Sequence, residues 1–117
     1  MEYLKLGIII LLLDAVYLST FGGRFAEMIK DIQGSNVKLR YGSAVACYIL
    51  IIYMLNHFII KPKRGIKDAF MLGACTYGIY DTVNYATFRK YKLHLAIMDT
   101  IWGGILFALT TLISRKL

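Results

Sequence analysis

Long apolar runs alternate with short polar connections along this chain. Four of the runs approach the roughly 20 residues that a helix needs to cross a hydrocarbon core of about 30 Å. They cover residues 4–21, 41–60, 68–87 and 93–113. In lipid, runs of this length satisfy their own backbone hydrogen bonds as helices, because a membrane barrel would need alternating strands of about ten residues. The pattern predicts an all-α fold, with four transmembrane helices in a compact bundle that forms one domain over residues 1–117.

The first apolar run has a second interpretation. Lys5 precedes an apolar stretch from Leu6 to Leu13, which is also the layout of a secretory signal. Asp14 ends that stretch, no small-residue cleavage site follows, and the apolar character resumes at Ala15. We therefore expect an uncleaved membrane span.

The connection between the first two runs has its own periodicity. Its apolar residues recur at i, i+3, i+4 and i+7 and are Phe25, Met28, Ile29 and Ile32. Charged residues fill the opposite side, which predicts a short amphipathic helix over residues 24–33 lying in the membrane interface. Turn-forming residues at 34–36 end it. We expect the tyrosines near span ends, Tyr3, Tyr41 and Tyr91, to be ordinary interfacial aromatics.

Composition and charge support a membrane location. Hydrophobic residues make up 58% of the chain and the mean hydropathy is +0.58, above the roughly 45–50% apolar content of soluble domains. A net charge of +7 would suggest nucleic acid in a soluble protein. Here the Lys and Arg residues lie near span ends, so we expect them to contact lipid and no nucleic acid. The expected headgroup contacts are Lys61, Lys63, Arg64, Arg89, Lys90 and Lys92.

The distribution of basic residues does not choose an orientation. Of the fourteen Lys and Arg, seven fall on the side that holds both predicted termini and seven on the other. Equal counts also fit a protein that inserts both ways and forms antiparallel dimers. The expected partners are the lipid bilayer and a homodimer or larger membrane assembly.

Three aspartates inside the spans are the most informative residues. Asp14, Asp81 and Asp99 would each cost about 2.5–3.5 kcal/mol at a helix centre. Each lies seven residues from the end of its span, roughly 10 Å deep, and the alternation of spans places those three ends on one membrane face. Tyr48 of the second span reaches the same level. We therefore expect the carboxyl groups to meet.

Helical spacing gives the aspartates polar neighbours. Side chains three or four residues apart share a helix face, which predicts a cluster of Asp14, Tyr17, Tyr77, Asp81, Asn84, Asp99 and Trp102. Small residues beside these positions allow helices to approach closely. The predicted packing residues are Ala74, Gly78, Thr82, Ala86, Gly103 and Gly104.

Three motifs carry a resemblance to a known family. LDAVYL at 13–18, YDTVNYAT at 80–87 and DTIWGG at 99–104 resemble the signature motifs of a small four-span membrane protein family of unknown function, with bacterial and large-DNA-virus members. The resemblance covers nearly the whole chain, but Tyr17 stands where the family usually has Trp. It implies no established activity. It implies that the family's motif positions are Asp14, Asp81, Asn84, Thr87, Asp99 and Trp102, which adds Thr87 to the predicted polar cluster.

Three classes of function fit such a cluster. The favoured one is a structural or assembly role in a membrane, in which the polar side chains fix helix register. The alternative is a small transporter or channel that uses the aspartates for proton or cation coupling. The third is an intramembrane lipid-modifying enzyme, with the carboxylates and Asn84 around Mg²⁺ or Ca²⁺. The sequence indicates no catalytic residue and no cofactor, although a cation at the aspartates fits the second and third classes.

Overall fold

The fold is a bundle of four helices. The structure is a computed structural model that describes residues 2–36, 38 and 40–117, and within these residues it has no strand. The helices are α1 (Glu2–Gln33), α2 (Tyr41–Leu55), α3 (Ile66–Thr87) and α4 (Leu93–Lys116), and a π-helical turn (Asn56–Ile60) continues α2. The predicted all-α architecture is confirmed, and the helix bounds lie close to those of the four apolar runs except at the end of α1.

The first helix is longer than predicted. α1 continues without a break through residues 24–33, so the separate interfacial helix predicted there does not form. Its 32 residues extend about 48 Å, well beyond a hydrocarbon core of about 30 Å. The reason is that the amphipathic end packs on the bundle, where Met28 is buried, instead of turning onto the membrane surface. α1 ends at Gly34, whose φ of +76° is the left-handed conformation common after helices.

The outer surface is suited to lipid. Three segments are long and apolar enough to cross a membrane, namely α1, Tyr41–Ile60 and α4. α3 has 22 residues and extends about 33 Å, although it is the most polar of the four helices. Large apolar side chains such as Leu12 and Leu50 are exposed on the outside of the bundle, which is the arrangement expected in a bilayer. The chain is therefore a multi-pass integral membrane protein.

The fourth helix is the centre of the bundle. α4 packs along α3 and also contacts α1, while α2 packs against α1. The core draws on all four helices and consists of Leu6, Ile10, Ile51, Leu55, Ile59, Ala69, Leu106 and Phe107. Every side chain that α4 places at this centre therefore has neighbours on more than one helix.

Glycines bring α3 and α4 into close contact. A Cβ atom at Gly73 would overlap the carbonyl oxygen of Gly103, and one at Gly103 would overlap the Tyr77 ring. At Gly104 an added Cβ would lie 2.7 Å from the Phe70 ring. The two helices can approach this closely only because these positions lack side chains.

The predicted packing residues divide into two groups. Gly103 and Gly104 are buried at the crossing, and a Cβ at Gly78 would lie 3.3 Å from Thr100. Ala74 is half-buried, whereas the other two are exposed, Thr82 and Ala86. The face of α3 that meets α4 is displaced by one residue from the predicted stripe, because Ala69 and Gly73 are its buried members.

The basic residues expected at lipid headgroups lie on the connections. All six are exposed: Lys61, Lys63, Arg64, Arg89, Lys90 and Lys92. Arg64 forms an ion pair of 3.7 Å with Asp68 at the start of α3. These residues mark the two ends of the bundle with positive charge.

Candidate functional site

Asp14 lies where three helices meet. It is buried on α1, and the Tyr48 hydroxyl of α2 donates a hydrogen bond to its Oδ2. The Trp102 indole of α4 donates to its Oδ1 over 3.1 Å. Both carboxylate oxygens therefore have a donor from another helix, and Asp14 links α1 to α2 and α4.

A stacked aromatic pair connects Asp14 to the second carboxyl group. The Tyr17 and Trp102 rings are nearly parallel, at 3°, with centroids 4.5 Å apart. Trp102 donates to Asp14, and the Tyr17 hydroxyl lies 3.4 Å from Asp99 Oδ1 in a long hydrogen bond. Asp14 and Asp99 thus belong to one network across the α1–α4 interface.

Asp81 is the most enclosed of the three carboxyl groups. Its side chain is 0% exposed, and the Tyr91 hydroxyl donates to its Oδ1 over 2.8 Å. Its Oδ2 is buried and receives no hydrogen bond from the residues that the structure describes. The Asp99 carboxyl group lies near Asp81 across the α3–α4 interface. Asp81 and Tyr91 therefore form a second hydrogen-bonded pair beside the network that joins Asp14 and Asp99.

Tyr91 lies on the connection between α3 and α4. It is 7% exposed and packs with Met28, itself 1% exposed, from the extended end of α1. The backbone N–H of Lys92 lies 3.2 Å from the Met28 sulfur, and the Lys90 ammonium donates to the Asp31 carbonyl oxygen over 3.2 Å. Burial, together with the hydrogen bond to Asp81, raises the pKa of the Tyr91 hydroxyl above its ordinary value. The end of α1 thus holds Tyr91 over Asp81.

The role of Tyr91 differs from the interfacial anchoring expected from the sequence. Its position near a span end is typical of a headgroup contact, but its hydroxyl points back into the bundle. The sequence signal for this role is the short connection of residues 88–92. A connection of that length keeps Tyr91 close to the ends of α3 and α4, which it joins.

The other residues of the predicted cluster lie at its edge. Tyr77 is half-buried, and its ring packs edge-on against Phe107 at 6.4 Å. Asn84 is half-buried and lies near Tyr91. Thr87, the last residue of α3, is exposed, and among the described residues it has no side-chain hydrogen bond to the network.

The charge of the site is unusual because it contains acids without bases. Within residues 2–36, 38 and 40–117, no Lys, Arg or His forms an ion pair with the three aspartates. The same residues contain no group of three His, Cys, Asp or Glu side chains placed to hold a metal ion. The aspartates do not converge on one point: Trp102 and Tyr17 connect Asp14 with Asp99, and Tyr91 contacts Asp81.

Fold and site together define the class. The chain is a small helical membrane protein with acidic side chains hydrogen-bonded between its helices. It belongs to the family described as predicted membrane protein (DUF2177), whose model matches residues 1–115. No curated protein and no solved structure matches the chain significantly.

Proposed function

We propose that this protein is a small membrane carrier that moves protons, in which Asp81 and Asp99 form the proton-binding unit. The observation that carries the proposal is the environment of Asp81, which is 0% exposed and whose Oδ2 atom, near the Asp99 carboxyl group, has no donor among the described residues. Two adjacent carboxylates without a counter-ion repel each other, and neither can donate a hydrogen bond to the other. A proton shared by the pair supplies the missing donor and removes the repulsion.

The surroundings of the pair give it a route toward one membrane face. The Tyr91 hydroxyl contacts Asp81 from the connection between α3 and α4, and Tyr17 contacts Asp99 from α1. Hydroxyl groups both donate and accept hydrogen bonds, so they can pass a proton along such a chain. Buried ionisable residues in membrane helices commonly mark proton relays in transporters. Tyr91, held by Met28, lies on the connection between α3 and α4 at the end of the bundle.

The experiment compares wild type with Asp81→Asn. The purified protein is reconstituted in liposomes with a pH-sensitive dye inside, the membrane potential is clamped, and a pH gradient is imposed. We expect wild type to move protons and Asp81→Asn to lose that flux, because an amide cannot release a proton. Wild-type thermal stability, measured from about pH 5 to about pH 9, should change with pH more than that of the variant.

The matched control is Asp68→Asn on the same helix. Asp68 is exposed and pairs with Arg64 at the start of α3, away from the network. It should retain wild-type flux and wild-type pH dependence. Equal flux in wild type and Asp81→Asn, with equal pH dependence, would contradict the proposal.

A structural role is the second candidate, and one observation favours it for Asp14. Both of its oxygens accept hydrogen bonds, from Tyr48 and Trp102, and these bonds join three helices. Interhelical hydrogen bonds in membranes contribute about 0.6 kcal/mol on average. If wild type moves no protons while Asp81→Asn is only less stable, the whole network serves helix packing and the carrier proposal fails.

A further inference from the structure

A groove lies between α1 and α4, on the outer surface of the bundle. Its volume is about 480 Å³, within the range of roughly 300–1,000 Å³ that is usual for ligand sites. Along α4 it extends from His94 to Ile105, a length of about 16 Å. Because this length begins at the membrane boundary and ends deep in the bundle, the groove lies along the direction of a lipid chain.

The walls of the groove are apolar and its upper end is basic. Apolar side chains from both helices line it, among them Val16, Ile97 and Ile101. Phe21 and His94 lie at the upper end, and the Arg24 guanidinium lies 5.8 Å from the centroid of the Phe21 ring. Among the described residues, no carboxylate lies within ion-pair distance of Arg24. The polarity of the groove therefore matches a molecule with an apolar chain and an anionic head.

We propose that the α1–α4 groove binds an acidic phospholipid, with one acyl chain along the apolar walls and the headgroup phosphate at Arg24 and His94. Arginine suits phosphate because its guanidinium offers several N–H donors in one plane. The basic connection of residues 89–92 lies at the same end of the bundle and adds attraction for anionic lipid. A phospholipid satisfies both ends of the groove, whereas a second copy of the chain would fill the apolar part and leave Arg24 without an anion. The inference is independent of proton binding by Asp81.

The groove contains its own reporter. Trp102 lines it and is the single tryptophan of the chain. Bromine atoms on an acyl chain quench tryptophan fluorescence on contact, so vesicles of phosphatidylcholine containing a brominated lipid measure occupancy directly. Two series are compared, one with brominated phosphatidylglycerol and one with brominated phosphatidylcholine at equal mole fractions.

We expect the acidic lipid to quench Trp102 with about fivefold higher relative affinity, which is the contribution of one Arg near an anionic surface. Arg24→Gln should bring the ratio close to one. Arg89→Gln, which removes an exposed charge from the α3–α4 connection, should retain most of it.

A second pair of variants tests the walls. Val16 is 66% exposed in the groove, so Val16→Phe should fold and reduce quenching by both lipids. Val45→Phe, at an exposed position on α2, should leave quenching unchanged. Equal quenching by the two lipids in wild type would mean that the groove contacts bilayer lipids without selecting acidic ones, and it would overturn the proposal. Weak quenching together with cross-linked dimers would overturn it in favour of a second copy.

Discussion

The close crossing of α3 and α4 gives a prediction in which two similar substitutions have different effects. In Gly73→Ala the new Cβ would overlap the Gly103 carbonyl oxygen and lie 2.7 Å from Phe107 Cγ. The first of these contacts is with backbone, so the helices must move apart. Overpacking of this kind destabilises proteins by about 1–3 kcal/mol. Gly→Ala in a helix also gains about 1 kcal/mol from propensity, and this gain partly offsets the steric term.

Gly23→Ala isolates the steric contribution. Gly23 lies inside α1, and an added Cβ there would meet nothing within 4 Å. It should gain the propensity term alone, so the difference in stability between the two variants should be about 1–3 kcal/mol, with Gly73→Ala the less stable. The separation of α3 from α4 should also move Asp81 away from Asp99 and reduce proton flux in Gly73→Ala.

Unfolding in mixed micelles with increasing fractions of sodium dodecyl sulfate measures the difference. Circular dichroism reports the helices, and Trp102 fluorescence reports the α1–α4 side of the bundle. If the two alanine variants unfold at the same detergent fraction, the helices do not cross at Gly73 as described and the reasoning from close contact is refuted.

Two further predictions concern tyrosine hydroxyl groups. Tyr48→Phe should lower the free energy of unfolding by about 0.6–1.7 kcal/mol, because Asp14 loses one of its two donors. The control is Tyr53→Phe, at an exposed site on the same helix, which should leave stability unchanged in the same detergent assay. Tyr91→Phe concerns alkaline pH. The raised pKa of Tyr91 means that the folded protein holds this proton more tightly than the unfolded chain, so wild-type stability is unaffected well below about pH 10 and falls as the pH rises above it. The variant should lose less stability over that alkaline range, and a parallel loss in the two proteins would show that Tyr91 does not contribute.

The fold was predictable from the sequence because lipid restricts the alternatives. The four apolar runs predict four helices, and except at the end of α1 their ends lie within a few residues of the helix bounds. The extension of α1 was not predictable, because amphipathic spacing of Met28 and its neighbours is the same whether the apolar face packs on lipid or on protein. The apolar face packs on protein because Met28 contacts Tyr91, and this contact depends on the tertiary structure.

The site was predictable in part for a similar reason. Equal depth in alternating spans correctly placed Asp14 and Tyr48 within hydrogen-bonding distance, since depth follows from counting residues. The rotation of each helix about its axis does not follow from counting. This is why the packing face of α3 proved to contain Gly73 instead of Thr82, and why Thr87 lies outside the network.

The central position of α4 has a consequence for how the protein is made. Trp102, which donates to Asp14, and Asp99, which lies near Asp81, belong to α4, which is synthesised after α1, α2 and α3. Residue 99 follows residue 14 by 85 positions, which corresponds to about 4–17 s of synthesis at roughly 5–20 residues per second. During that interval the earlier helices hold acidic side chains whose α4 partners do not yet exist. The polar interior of the bundle can therefore form only after α4 has been synthesised.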